Sequence, residues 1–151
     1  RRGGQTAARG RSLMAFEAIQ PGLRGEVTLV VAQEHTAKHM GSGSAQVLAT
    51  PRMVLLMEMA GVAAVDPLLP EGYRTVGAHL DVRHLAPTPI GFEVLTTAEL
   101  VAVDGRRLTF RVKARDRSPV DGASELVGEG THTRFIIDVD AFKERAEKKA
   151  S

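Results

Sequence analysis

The run from Thr50 to Val65, TPRMVLLMEMAGVAAV, constrains this chain more than any other stretch. Nearly every position is apolar, with no side left polar, so the spacing predicts a helix buried on all faces rather than a surface helix. Thr50 followed by Pro51 supplies a start, a hydroxyl N-cap and then proline at the first helical position. Asp66-Pro67 supplies the stop, because a residue before proline is pushed out of the α region. Glu58 is the lone charge among Leu55, Met57, Met59 and Val62. A carboxylate in such company is costly to bury without a partner. The rest of the chain must wrap this helix and supply that partner.

The wrapping reads as strands. Glu26–Val31 is a β-branched run before the helix. Gln33–Gln46 is polar, with GSGS at 41–44, and is expected to be a mobile loop. After the helix, 75–85 alternates, with Val76, Ala78, Leu80, Val82 and His84 on one face and Gly77, His79, Asp81 and Arg83 on the other. Strands follow at 92–103 and 106–116, joined by the Asp104-Gly105 hairpin signal. In the second of these, Leu108, Phe110, Val112 and Ala114 point inward. A last strand covers 125–138, with Gly128 and Gly130 on one face, open to close approach by the helix or a ligand. A short charged helix, 140–149, is capped by Asp140. One strand, a long apolar helix and four strands with hairpin-type links imply an α+β fold. The expected architecture is a buried central helix wrapped by a curled, mostly antiparallel five-stranded sheet.

With 151 residues, the chain is one domain by length. Residues 1–13 are basic and Gly-rich, with no apolar segment after them. They read as a disordered arm, or as an extension upstream of Met14, before a single domain over 14–151. The sequence has no cysteine, so it carries no disulfide framework, thiolate metal site or cysteine nucleophile, which fits a cytoplasmic protein. A formal charge of +2 with scattered basic residues gives little footing for nucleic acid. The apolar run is shorter than the ~20 residues a membrane span needs. His35 and His39 are four apart, but the HExxH pattern is absent and their segment is loop-like, so no metal is expected.

Three residues stand apart from their surroundings. Glu58 is the charge in the apolar helix. His84 is the fifth member of an apolar strand face. Thr50 offers a hydroxyl at a helix N-terminus, where free N–H groups favour developing negative charge. A carboxylate, an imidazole and a hydroxyl aimed into one apolar interior suit hydrolysis. Each also has a structural reading: Thr50 as a cap, and Glu58 and His84 as a buried pair satisfying each other. Met53, Met57 and Met59 read as adaptable core. The row Arg107, Arg111, Lys113 and Arg115 reads as a solvated sheet face, or alternatively as a contact for nucleotide phosphates.

Several of these stretches carry a likeness to a known family. They are the Thr50…Glu58 helix, TVGAHLDVRH at 75–84, APTP followed by Gly91, VDGRRL at 103–108 and GEGTHTR at 128–134. Together they resemble the hotdog-fold acyl-CoA thioesterases, in the fluoroacetyl-CoA thioesterase-like branch. The resemblance covers about 26–139. It implies catalytic Thr50, Glu58 and His84, and substrate contacts at Gly77 and Arg134. It also implies an acyl-CoA substrate, no further cofactor, and a homodimer or higher homo-oligomer with sites at the interface. The family's aromatic lid residues before the threonine have no counterpart in Met40–Gln46, so an open lid and broad acceptance of short acyl groups are expected. On one helix, Thr50 and Glu58 are about 12 Å apart along the axis, so either Thr50 sits outside the helix on a folded-back turn or the set is completed from two subunits, with the second favoured. A hotdog-fold hydratase and a non-catalytic acyl-CoA-binding protein are the rivals. The hydratase's close Asp–His pair is absent.

Overall fold

In the computed structural model, residues 16–151 are described; the arm expected at 1–13 lies outside them. The strands are β1 (Arg24–Val30), β2 (Tyr73–His84), β3 (Glu93–Asp104), β4 (Arg107–Arg117) and β5 (Ser124–Asp138). They form one antiparallel sheet in the order β1-β3-β4-β5-β2. The sheet is open, with β1 at one edge and β2 at the other. The helices are α1 (Ala37–Met40), α2 (Thr50–Val65) and α3 (Val139–Ala150). The fold is the expected one, a central helix against a five-stranded antiparallel sheet. The connection before α2 is more ordered than its composition suggests. Thr36 Oγ1 caps α1 by accepting from His39 N–H at 3.2 Å, and Thr36 bridges Leu48.

Helix α2 supplies Met53, Leu56, Met57, Ala60, Gly61, Ala64 and Val65 to the core. Opposite them lie Val94, Ala98, Leu100 and the β4 series Leu108, Phe110, Val112 and Ala114, all fully buried. The alternation that marked β4 in the sequence is thus the alternation of the core. The helix is not buried on every face. Pro51, Leu55, Met59 and Ala63, each four residues on from the last, form an exposed stripe. Leu55 and Met59 are 42% and 43% exposed. The physical reason is that an open sheet curls round only one side of a cylinder.

Three local expectations change. The N-cap of α2 is Ala49, and Thr50 is already inside the helix, so its hydroxyl is not used as a cap. On β2, the register with β5 slips by one residue between Gly77 and His79, leaving Ala78 as a bulge. A bulge reverses the phase of alternation. Thr75 and Gly77 therefore face α2 before it, and Leu80, Val82 and His84, opposite His132, Gly130 and Gly128, face it afterwards. Strict alternation had put Gly77 and His84 on opposite faces; the bulge puts both on the helix side. At the far end, Asp138 rather than Asp140 caps α3, accepting from Ala141 N–H at 3.1 Å.

Strand β1 approaches α2 most closely at Gly25. A Cβ there would overlap the Ala60 carbonyl and the Ala64 amide of the helix backbone, neither of which can yield as a side chain can. Gly25→Ala is expected to lower stability by about 2–3 kcal/mol through overpacking. Urea unfolding should show an earlier midpoint with an unchanged slope, and an unmoved midpoint would mean that β1 and α2 are not so close.

Candidate active site

The site begins where α2 and β2 meet. Thr50 occupies the first turn of α2, and His84 is the last residue of β2. Thr50 Oγ1 and His84 Nδ1 are 2.8 Å apart. His84 is half-buried, and burial pushes its pKa below the ordinary 6.5, so the ring is neutral at pH 7. If the threonine hydroxyl donates to Nδ1, the ring proton resides on Nε2, a buried atom with no partner among the described residues. The pair lies on a cavity of about 340 Å³, walled by Ala37, Ser42, Leu48 and the 85–87 segment.

Two turns along α2 lies a second group. Glu58 Oε2 is 3.4 Å from Arg134 on β5. The Arg134 side chain is 5% exposed, and that of Glu58 37%. Arg134 Nε donates to Thr75 Oγ1 at 2.8 Å, and its second terminal nitrogen donates to the Thr75 carbonyl at 3.1 Å. The nitrogen that meets Glu58 also donates to His132 Nε2 at 3.1 Å. Because a guanidinium only donates, His132 Nε2 must accept. His132 then carries its proton on Nδ1 and donates it to the His79 carbonyl at 2.8 Å. Burial above all, with help from the Arg134 charge, keeps this ring neutral, against the opposing pull of the His79 carbonyl. Thr75 in turn donates to Asp66 Oδ1 at 2.6 Å, tying the end of α2 into the chain of contacts.

Gly77 is the opening in this group. A Cβ at Gly77 would stand 2.8 Å from Glu58 Oε2, 3.3 Å from His132 Cε1 and 3.4 Å from an Arg134 nitrogen. A side chain here would fill the space onto which the carboxylate, the imidazole and the guanidinium converge.

The five residues singled out in the sequence therefore form two groups. Thr50 joins His84, and Glu58 joins Gly77 and Arg134. The hydrogen bond expected between Glu58 and His84 is not made within one chain, because Glu58 takes Arg134 instead. The sequence reading missed Thr75, Asp66 and His132. His132 carried a signal: the face of Gly128 and Gly130, continued in steps of two, reaches His132 and then Arg134. Among the described residues, no group of His, Asp or Glu is placed to hold a metal ion. His35 instead accepts the Ala32 N–H at 2.9 Å through Nδ1 and caps a turn, and His39 is exposed.

An apolar helix against an antiparallel sheet, with a hydroxyl–imidazole pair at the helix N-terminus, defines a hotdog protein of the thioesterase type. A family model described as fluoroacetyl-CoA-specific thioesterase matches residues 31–140. The fluoroacetyl-CoA thioesterase of Streptantibioticus cattleyicolor is 37% identical over 139 residues, covering 88% of this chain and 96% of that protein. A solved structure of a threonine-to-serine mutant of the fluoroacetyl-CoA enzyme with acetyl-CoA aligns with TM-score 0.76 and 36% identity, covering 87% of this chain and 99% of that one. A thioesterase superfamily member from Thermus thermophilus aligns with TM-score 0.75 and 29% identity, covering 87% and 95%. The chain belongs to the fluoroacetyl-CoA-specific thioesterase family. It is a thioester hydrolase acting on acyl-CoA. Among the described residues, no helix is long and apolar enough to cross a membrane.

The Arg134 contacts fix one observable. In ¹⁵N NMR at pH 6–7, His132 should appear neutral with its proton on Nδ1. A protonated ring, or a proton on Nε2, would be incompatible with the Arg134–His132 hydrogen bond.

Proposed function

We propose that this enzyme hydrolyses short acyl-CoA thioesters at sites completed across a homodimer, with His84 as general base, Thr50 as nucleophile or water-positioner, and Glu58 as orienter. The observation that carries this reading is the Thr50–His84 pair, 2.8 Å apart at the start of α2, with the imidazole held neutral by burial. A neutral imidazole can take the proton from threonine or from water. The free N–H groups of the first helical turn suit the oxyanion of a tetrahedral intermediate, joined in a shared site by the Gly77 N–H of the second copy. With acyl-CoA as substrate, the cytoplasm is where the enzyme works.

Three features support completion by a second copy. The β2 edge is unpaired over a 12-residue strand and carries the exposed Leu80. Such an edge invites another strand. Beside it runs the exposed apolar stripe of α2. The buried Nε2 of His84 also lacks an acceptor, while the site's one carboxylate sits by Gly77. Antiparallel pairing of two β2 edges about a two-fold axis near Leu80 brings the Gly77 end of one strand to the partner's His84. Glu58, beside Gly77, then faces that imidazole and can support its protonated form. Arg134, with its donors committed inside the chain, positions Glu58 rather than binding substrate directly.

Removing the base in His84→Ala should slow turnover ~10²–10⁴-fold. Glu58→Gln keeps the shape and should also slow it, and the double variant should be far from the product of the singles, because the two act as a unit. Wild-type kcat/KM should rise with pH as the histidine loses its proton, and then level off. Mixing His84→Ala with Glu58→Gln protein tests the sharing. Half of the re-formed dimers carry one intact site, which returns roughly a quarter of wild-type activity. Folded His84→Ala with near-normal turnover sinks the mechanism, and no recovery on mixing sinks the shared site.

Selectivity should be loose. The 41–46 stretch is exposed and brings no aromatic side chain to the cavity. Short acyl groups should be cleaved at comparable rates. A preference for fluoroacetyl-CoA over acetyl-CoA exceeding ~10³-fold in kcat/KM, several kcal/mol of discrimination, would contradict the open entrance.

A further inference from the structure

We propose that the buried hydrogen bond between Thr88 and Asp116 positions Thr50 against His84, and that Thr88 and Asp116 are positioning residues for the hydrolysis. The inference rests on the reading of Thr50 and His84 as the reacting pair. Asp116 continues the inward series of β4 after Ala114, a single carboxylate on a face that is otherwise fully apolar. It is 4% exposed, and Thr88 is fully buried. Thr88 Oγ1 donates to Asp116 Oδ2 at 3.1 Å, and Asp116 has no other side-chain partner among the described residues. Neither residue touches the cavity, so ordinary substrate contact does not explain a carboxylate buried there.

The connectivity around Thr88 gives it a function. His84 lies four residues before it, and the intervening Leu85, Ala86 and Pro87 line the cavity. On its other side, the Thr88 carbonyl accepts the Leu48 N–H at 2.9 Å, and Pro89 bridges Val47. Leu48 is two residues before Thr50. Thr88 therefore joins three things: the segment carrying His84, the segment carrying Thr50 and the end of β4, the middle strand of the sheet. The first two run through its backbone, and the third runs through its hydroxyl to Asp116. Without that third tie, the 85–89 and 47–49 segments remain bonded to each other, and Leu85 to Val127, but nothing pins Thr88 to β4. His84 at the end of β2 and Thr50 in the first turn of α2 are then held by their own elements, without the cross-tie that sets one against the other. Misplacement of about 1 Å at a reacting pair can cost 10²-fold.

The test compares Thr88→Val, Thr88→Ser, the double variant Thr88→Val/Asp116→Leu and His84→Ala, each with melting temperature and acetyl-CoA hydrolysis on the same samples. Thr88→Val is expected to lower kcat about 10- to 100-fold with a smaller change in KM. Thr88→Ser, which keeps the hydroxyl, restores kcat to within about threefold of wild type. The double variant removes the bond without leaving a buried carboxylate unpaired, so it should fold even if Thr88→Val does not. It should show the same loss of kcat. A folded double variant with wild-type kcat, or Thr88→Ser as impaired as Thr88→Val, overturns the positioning role. If that happens while His84→Ala is inactive, the catalytic reading stands alone. An active His84→Ala overturns both.

Discussion

The structure is organised around one guanidinium, Arg134, buried beneath an apolar helix and paired with a half-exposed carboxylate on that helix. Arg134 is among the most buried polar residues of the described chain, and a lone buried cation would be severely destabilising. It is made tolerable by four acceptors: Glu58, the Thr75 hydroxyl and carbonyl, and the neutral His132. A guanidinium suits this role because its donors are fixed in a plane and can serve several directions at once. Lysine would concentrate the charge on one atom and leave Thr75 and His132 without their donor. The neutral state of His132 follows from the same arrangement, since a protonated ring would present an N–H to the cation.

This polar core also keeps the Thr50–His84 pair and the Glu58 group apart within the chain. Glu58 is held two turns from Thr50 by the rise of the helix, and Arg134 anchors it there. No side-chain rotation can bring it to His84. The Thr50–His84 pair has the hydroxyl and the base but leaves a buried ring nitrogen without an acceptor. The Glu58 group has the charge and an opening at Gly77. Each group lacks what the other holds.

Much of the fold was legible because it rests on periodicity. The apolar run of α2, the alternation of β4 and the Asp-Gly hairpin each follow from local rules, and each formed close to where the sequence puts it. What could not be read is non-local or silent. The Ala78 bulge has no composition of its own, yet it sets the face of everything after it on β2. The Glu58–Arg134 pair joins positions 76 residues apart, so no spacing rule reaches it. The choice of Arg134 over His84 as the partner of Glu58 depends on where the bulge leaves each side chain. Other features were present but passed over. Asp116 is the next inward position after four apolar ones, and His132 continues the period of two from Gly130. A lone polar residue on an apolar face was the signal that found Glu58 and His84, and it applies equally to these two.

The same physics bears on how selective such a site can be. Two acyl groups that differ by one small substituent differ little in the apolar contacts they make, and a pocket that reads only size separates them by about 1–3 kcal/mol. Stronger discrimination needs groups that close round the substituent and remain unsatisfied when the wrong one binds. In this chain the residues poised over the Thr50–His84 cavity are Ala37, Ser42 and Val47, small and on a segment exposed from Gly41 to Gln46. They have neither the area to grip a substituent nor buried polar atoms to be left unpaired by its absence. Thr50 and His84 lie on the ordered helix and strand, whereas the small residues lining the cavity beside them lie on the connection before α2. Under the proposed mechanism, the hydrolytic chemistry and the choice of acyl group would be carried by different elements, and substitutions in 40–47 would alter the second without disturbing the first.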